Sequence, residues 1–345
     1  MKAILINQHG APDVLTLGEL PKPEPKENEV VVKLSMAGLN HVDVWVRKGG
    51  PAYPVKFPHV PGSDGSGIVE ALGPGAEGVS VGDRVLLFPG ISPAPTCPTC
   101  ARGQDNQCDE FEILGTKRYG TYAEYVAVPD QNVVPIPDTL SFEQAAAFPL
   151  AHVTAWHMLV GKAKIAANEA VLVVGAGSGV GVAAIQIAKL KGARVFAATS
   201  SRHKVSKLKA LGAEDVFFEE KDADMSKWAL KQTNMRGMDV VVEHVGPATW
   251  EKSVKSLAKY GRLVTCGATT GPTVTLDLRY VFSRDLSIFG AKMGTQREFQ
   301  DLCSAVFKGE IVPVVDKIFP FEDVSSAHDY LEGKQQVGKI LLKIA

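Results

Sequence analysis

No stretch of the sequence approaches the roughly 18 consecutive apolar residues that a membrane span needs. The N-terminal MKAILINQHG lacks the profile of a secretory leader. There is no long low-complexity tract, and no internal repeat beyond an alternation of strand-like and helix-like segments. Neither sign of charge is in excess: 37 Lys and Arg stand against 38 Asp and Glu, a formal net charge of −1. Nothing global therefore favours nucleic acid or an anionic membrane as a partner. Cysteine is sparse and odd in number, five in all, with three of them between Cys97 and Cys108. That argues against a disulfide framework and for metal or free thiols in a reducing compartment. The expectation is a cytoplasmic protein with no membrane and no nucleic-acid partner.

What remains is ordinary globular composition, 45% hydrophobic and 22% charged over 345 residues, a length that suits two domains. The most informative stretch is VLVVGAGSGVGVAAIQIAKLKG, Val171 to Gly192. Val171 to Val174 is too short for a helix and fits a strand buried on both faces. The chain then turns through Gly175, Gly177, Ser178, Gly179, Val180 and Gly181. Val180, Ala183, Ala184, Ile187 and Ala188 recur at helical spacing, and Gly192 supplies a stop. Strand, glycine turn and helix outline a dinucleotide site, in which small residues admit a pyrophosphate to unpaired N–H groups at the helix N-terminus. The spacing departs from strict G-x-G-x-x-G, since Val182 stands where the last glycine would fall. A ligand-free glycine turn gives the same local pattern. The strand-like segments Arg194–Ala198, Met238–Val245 and Gly261–Cys266 repeat the unit, which predicts a parallel sheet covered by helices.

Residues 1 to about 149 read differently, as short strands at Val30–Ala37, Gly65–Ala71, Asp83–Leu87 and Tyr122–Val128 punctuated by Gly and Pro. Ser141 and Gln144 form a capping pattern that opens a helical stretch toward Thr154. After Phe289 the alternation ends. Arg297–Lys308 reads as helix, and Ile318 and Gly338–Ile344 offer strands that return to the first domain.

Several landmarks together resemble the medium-chain dehydrogenases and reductases over nearly the whole chain: AGLNHVDVWVRKG (37–49), PHVPGSDGSGIVEALG (58–73), VGDRV (81–85), GTYAEYV (120–126), LAHVTAW (150–156), GAGSGVG (175–181) and GRLVTCGATTG (261–271). The resemblance implies an α/β fold: a GroES-like β-rich catalytic domain, 1–149 and 294–345, and a Rossmann NADP-binding domain with a doubly wound parallel sheet, 150–293. It implies oxidoreductase chemistry on a small molecule and a homo-oligomer, a dimer.

Within that family the zinc-dependent alcohol dehydrogenases hold a catalytic metal. At the corresponding positions this chain carries Asn40, Ser63, Asp64 and Leu150, of which only Asp64 keeps ligand character. The pattern resembles the quinone oxidoreductase-like branch, which lacks that metal. His41, His59 and His152 lie nearby in sequence and are read as hydrogen-bonded polar residues rather than a rebuilt site. The loop Cys97-x2-Cys100-x7-Cys108 matches three of the four cysteines of the family's structural-zinc lobe. Its first ligand position falls on Ala94, with Asp105, Asp109 or water left to complete the set. A structural zinc and a degenerate loop of free thiols weigh equally.

Cofactor choice is read after the second strand of the alternating half, in ATSSRHKVSK. No acid appears from Thr199 to Lys204, whereas Ser200, Arg202 and Lys204 suit the 2′-phosphate of NADPH. Glu219 dissents, being a carboxylate near the expected phosphate. By position in the family, Asn40, Asp43 and Thr154 are candidate catalytic residues, and Gly267, Thr295 and Lys339 candidate cofactor contacts. Each has a plainer structural role available: Asp43 as a turn cap, Thr154 as an N-cap, Lys339 as a strand-edge charge. Tyr53 lines the substrate pocket or packs beside Pro54. The reading that follows is an NADPH-dependent reductase of quinones or α,β-unsaturated carbonyls working without a catalytic metal. The alternatives are a zinc-dependent alcohol dehydrogenase and a non-catalytic NADPH-binding protein.

Overall fold

The computed structural model describes residues 1–50, 53–92, 97–220 and 223–345. Ala94 falls outside them. The chain divides into two units, Met1–Leu150 with Thr295–Ala345, and Ala151–Gly294. No helix among the described residues is long and apolar enough to cross a membrane.

The first unit is built on the strand Glu29–Gly38, whose run of Val30, Val31 and Val32 is wholly buried. This strand pairs antiparallel with Asp64–Leu72 along its length, with Tyr125–Pro129 at its start and with Lys339–Lys343 at its end. The sheet has seven strands and runs on through Arg84–Leu87 to Val133–Pro135 on one side and Val315–Pro320 on the other. Register shifts between Val31 and Val32 and between Leu34 and Met36 mark bulges, which bend a sheet toward closure. One expected strand is shorter at its start than Tyr122–Val128. Tyr122 and Ala123 pair instead with the first strand of the chain, the Ile4 N–H donating to the Tyr122 carbonyl and Ala3 bridging Ala123.

The second unit is a six-stranded, wholly parallel sheet in the order Asp215–Phe218, Arg194–Thr199, Ala170–Val174, Met238–Glu243, Leu257–Thr265, Ser287–Gly290. Ala170–Val174 is buried at every residue, as its unbroken apolar run predicts. The chain winds outward from it first one way and then the other, so a crevice opens at the carboxyl ends of Ala170–Val174 and its neighbours. The strand expected from Gly261 begins earlier, at Leu257. Exposed Lys259 and Tyr260, the latter at φ +61°, interrupt its apolar pattern, and the register against Met238–Glu243 shifts there. Met238–Glu243 stops two residues short of Val245 because the Glu243 carboxylate takes the N–H groups of Val245 and Gly246 that a longer strand would pair.

Candidate active site and cofactor loop

In the first unit, Asn40 sits between Glu29–Gly38 and the helix His41–Lys48, at the position that precedes the helix. Its backbone N–H donates to Asp43 Oδ2 at 2.8 Å, while its side-chain amide donates to Asp64 Oδ2 at 2.9 Å. Lys339, at the start of Lys339–Lys343, directs its ammonium to the Leu39 carbonyl (2.6 Å), Asn40 Oδ1 (2.5 Å) and Asp64 Oδ2 (2.9 Å). Those three bonds use all three N–H donors of a lysine. Asp64 Oδ1 accepts the Leu150 N–H at 2.9 Å. Of the positions that the family resemblance aligns with metal ligands, Asn40, Ser63 and Asp64 thus lie in a buried knot whose positive charge is Lys339, and Leu150, partly buried, joins it through its N–H. A dinucleotide contact from Lys339 requires that one of its bonds be given up.

Asp43 extends the knot inward. It accepts from Tyr122 Oη at 3.0 Å and from Ser63 Oγ at 3.4 Å. Burial pushes its carboxyl up to about 7, against the pull of the Asn40 N–H and of Lys339. Behind it, Tyr122 Oη lies 3.5 Å from Nε2 of His328, which burial and the nearby Arg47 drive down to about 3. Arg47 is fully buried and pairs with Glu332. None of Tyr122, His328, Arg47 or Glu332 carries a local signal in the sequence, because their meeting depends on contacts across 79 to 285 residues. Tyr53 stacks on Trp45 with ring centroids 5.9 Å apart. His59 is hydrogen-bonded to the Gly115 carbonyl at 2.9 Å, as expected for a polar wall residue. Thr295 caps the helix Gln296–Phe307, its hydroxyl and Glu298 bonding reciprocally.

In the second unit the glycine turn has the features a pyrophosphate cradle needs. Gly175 adopts φ +65°, and a Cβ on Gly181 would lie 2.7 Å from the Ala176 backbone. Gly181 thereby supplies the close helix–strand approach that strict G-x-G-x-x-G assigns to its last glycine, and Val182 is free to be core. Ser178 caps the helix Gly179–Leu190, its Oγ accepting from the Gly181 N–H at 2.9 Å. The N–H groups of Gly179 and Val180, in the first turn, have no intrahelical acceptor and suit an anion. A dinucleotide fits these residues.

His244, which the sequence reading passed over, projects into the same crevice from the end of Met238–Glu243, with Nε2 3.2 Å from Ser178 Oγ. Gly267 faces it, since a Cβ there would meet the His244 carbonyl at 3.1 Å. Thr154 lies within the helix Pro149–Trp156 and is buried, so it is not an N-cap. Ser200, Arg202 and Lys204 follow Arg194–Thr199. Arg202 is ion-paired with Glu220 and lies over the Phe218 ring, while Glu219 bonds through its N–H to the Thr199 carbonyl at 3.1 Å and pairs with Lys252 at 3.4 Å. Acids therefore reach the end of Arg194–Thr199 from the neighbouring strand, although its own loop has none.

Among the described residues, the one group placed to hold a metal ion is Cys97, Cys100 and Cys108. The Cys97 sulfur lies 3.2 Å from that of Cys100 and 3.7 Å from that of Cys108. Tetrahedral zinc at about 2.3 Å from each sulfur places thiolates about 3.8 Å apart, so the donor set fits three positions of such a site. The Cys100 N–H holds the Cys97 thiol down to about 7. Asp105, a candidate fourth ligand, accepts the Gln296 N–H at 3.1 Å.

Residues 26–138 match the family model described as alcohol dehydrogenase GroES-like domain, and residues 179–308 the one described as zinc-binding dehydrogenase. A zinc-type alcohol dehydrogenase-like protein of Schizosaccharomyces pombe is 35% identical, the match covering 94% of this chain and 95% of that one. The chain belongs to the medium-chain dehydrogenase/reductase superfamily. It is an oxidoreductase of that type, with a GroES-like domain and a Rossmann-type sheet. Mus musculus quinone oxidoreductase is 30% identical over 99% of this chain and 97% of its own. A crystal structure titled as an NAD-dependent alcohol dehydrogenase superposes with a TM-score of 0.95 at 44% identity, covering all of both chains.

Proposed function

We propose that this medium-chain dehydrogenase/reductase reduces quinones or α,β-unsaturated carbonyls with NADPH and without a catalytic metal. The observation that carries the reading is the Lys339–Asp64–Asn40 knot. Where metal-dependent members of the family have ligands, this chain has an amide, a hydroxyl, an alkyl side chain and one carboxylate already neutralised by an internal ammonium. Simple aldehydes and ketones develop a localised alkoxide that zinc would stabilise as a Lewis acid. Conjugated acceptors spread that charge, and hydrogen-bond donors are enough for them.

NADPH supplies the hydride when bound. The chain's own part is binding, orientation and proton supply. The turn from Gly175 to Gly181 receives the pyrophosphate, and Ser200, Arg202 and Lys204 receive the 2′-phosphate. In this reading Gly267, Thr295 and Lys339 are cofactor contacts, and Thr154 is a catalytic residue with Asn40 and Asp43. Asp43, raised to about 7, is poised to hold or release a proton near neutral pH. In the protonated form the hydrogen is on Oδ1, because Oδ2 already accepts from the Asn40 N–H and Tyr122, and the bond that Oδ1 accepts from Ser63 Oγ in the carboxylate form reverses. Cys97, Cys100 and Cys108 hold a structural zinc.

The likeness to a structure titled NAD-dependent alcohol dehydrogenase favours a second reading, oxidation of an alcohol with NAD. A panel of quinones, enones, aldehydes and alcohols, run with both cofactors before and after exhaustive chelation, separates the two. Enone or quinone reduction with NADPH that survives chelation is the expected outcome. Activity confined to alcohols and aldehydes, lost on chelation and restored by zinc alone, would leave the second reading. We further propose a homodimer through the open edge of Ser287–Gly290, flanked by the exposed apolar side chains Leu278, Phe282 and Ile288.

A further inference from the structure

We propose that His244 is an unassigned member of the dinucleotide site, a positioning residue that takes up a proton when the pyrophosphate binds and so releases the Ser178 hydroxyl to it. The inference rests on the dinucleotide reading above and adds a specific coupling to it.

The argument is one of hydrogen-bond valence. A serine hydroxyl has one hydrogen and two lone pairs. The Gly181 N–H takes one lone pair of Ser178 Oγ at 2.9 Å, and His244 Nε2 stands 3.2 Å away. The ring also bonds to the backbone of His244 itself; in the neutral tautomer that spends its one hydrogen there, on Nδ1, Nε2 carries none and accepts the Ser178 O–H, leaving that hydroxyl with no donor for a ligand. Protonation at Nε2 reverses the bond. The imidazolium donates to the second lone pair of Oγ, and the Ser178 hydrogen turns to an anionic oxygen at the N-terminus of Gly179–Leu190. One proton comes from solvent to Nε2, no covalent bond to carbon or phosphorus changes, and every donor and acceptor in the set is used.

The surroundings of His244 favour the neutral form until an anion arrives. Burial holds its imidazole below the ordinary range, against the pull of Glu243. The ring packs over Gly175, where a Cβ would meet Cε1 at 2.9 Å, so the loop is shaped around it. Among the described residues, Glu243 is the titratable group that acts on it. On its own strand, Glu243 is spent on the N–H groups of Val245 and Gly246 and the hydroxyls of Thr249 and Ser253. Beyond Leu257–Thr265, the Cys266 thiol is pushed up to about 12 by burial and stays neutral. The glycine turn presents no charge, and from the segment after Cys266 Thr269 donates to the His244 carbonyl at 3.1 Å. A bound pyrophosphate adds a second negative charge to that of Glu243 and raises the His244 pKa further.

The sign follows. A group whose pKa rises on binding tightens that binding fully below its free-state pKa and loses the effect as pH passes its bound-state value. NADH is the probe, because the 2′-phosphate of NADPH itself titrates near pH 6. Fluorescence titration of the full chain with NADH from pH 5 to 8.5 should show Kd rising by up to about tenfold per pH unit within that window. Calorimetry near pH 6.5 in two buffers of different ionisation heat should register proton uptake. H244Q, which keeps a polar group near Ser178 but does not titrate, should bind with a flat pH profile and no uptake. S178A should flatten the profile independently. A wild-type Kd that does not change with pH, or a slope and uptake that persist in H244Q, overturns the proposal while leaving the dinucleotide site standing. Failure of NADH and NADPH to bind at any pH removes the site itself.

Discussion

Arg202 decides more than its exposed position suggests. It is ion-paired to Glu220, yet the side chains are 76% and 57% exposed, and such pairs contribute about 0–1 kcal/mol. A phosphate offers a stronger, charge-assisted partner, so under the NADPH proposal Glu220 would yield Arg202 to the 2′-phosphate. Replacing Arg202 by Ala should cost about 1.5–3 kcal/mol in NADPH affinity and leave NADH affinity nearly unchanged. Equal weakening of both cofactors would remove Arg202 from the 2′-phosphate site. At this scale the sequence was legible where chemistry is local: the turn through Gly175 and Gly181 could be read from neighbours in the chain, whereas Ser178 was marked only as part of that turn and its cap came from the structure. His244 could not, because its partner lies 66 residues away. The acids that meet Arg202 were half visible. Glu219 was suspect from its position, whereas Glu220 is the residue that pairs with Arg202, since the side chain that points inward depends on how the strand Asp215–Phe218 ends.

The cysteine loop is an element on which three candidate metal ligands converge. Its helix Pro98–Ala101 is a single short turn, too short to be stable alone. Three sulfurs converge there without a disulfide among the described residues. Bound zinc would supply the ordering energy that this turn lacks. Protein purified without added zinc should carry close to one zinc per chain by elemental analysis. Replacing Cys97, Cys100 and Cys108 together by Ser should remove it and lower the melting temperature. Zinc that survives the triple replacement sits elsewhere. Elsewhere among elements, the expected boundaries held where apolar runs end at a glycine, as in the helix ending before Gly192. They moved where a side chain or a positive φ replaced a ladder bond, as at Glu243 and Tyr260.

For the whole molecule, the second unit leaves Ser287–Gly290 as an outer strand with one side unpaired among the described residues. Unprotected edges of this kind invite pairing. Ile288, Leu278 and Phe282 are 37%, 66% and 71% exposed around it, apolar surface that a second copy would cover. Light scattering should give twice the 36.9 kDa chain mass, and I288K combined with F282E should give one. A wild-type monomer removes the dimer. The discontinuity of the first unit has a consequence for synthesis. Glu29–Gly38 leaves the ribosome about 300 residues ahead of its neighbour Lys339–Lys343 and of the lysine that neutralises Asp64. At about 5–20 residues per second that is a delay of roughly 15–60 s. Ala151–Gly294, a continuous stretch, can complete its sheet in the meantime. A nascent chain of this protein therefore carries a finished cofactor half beside an open strand edge and an uncompensated carboxylate, and it is in that interval that a chaperone would be needed most.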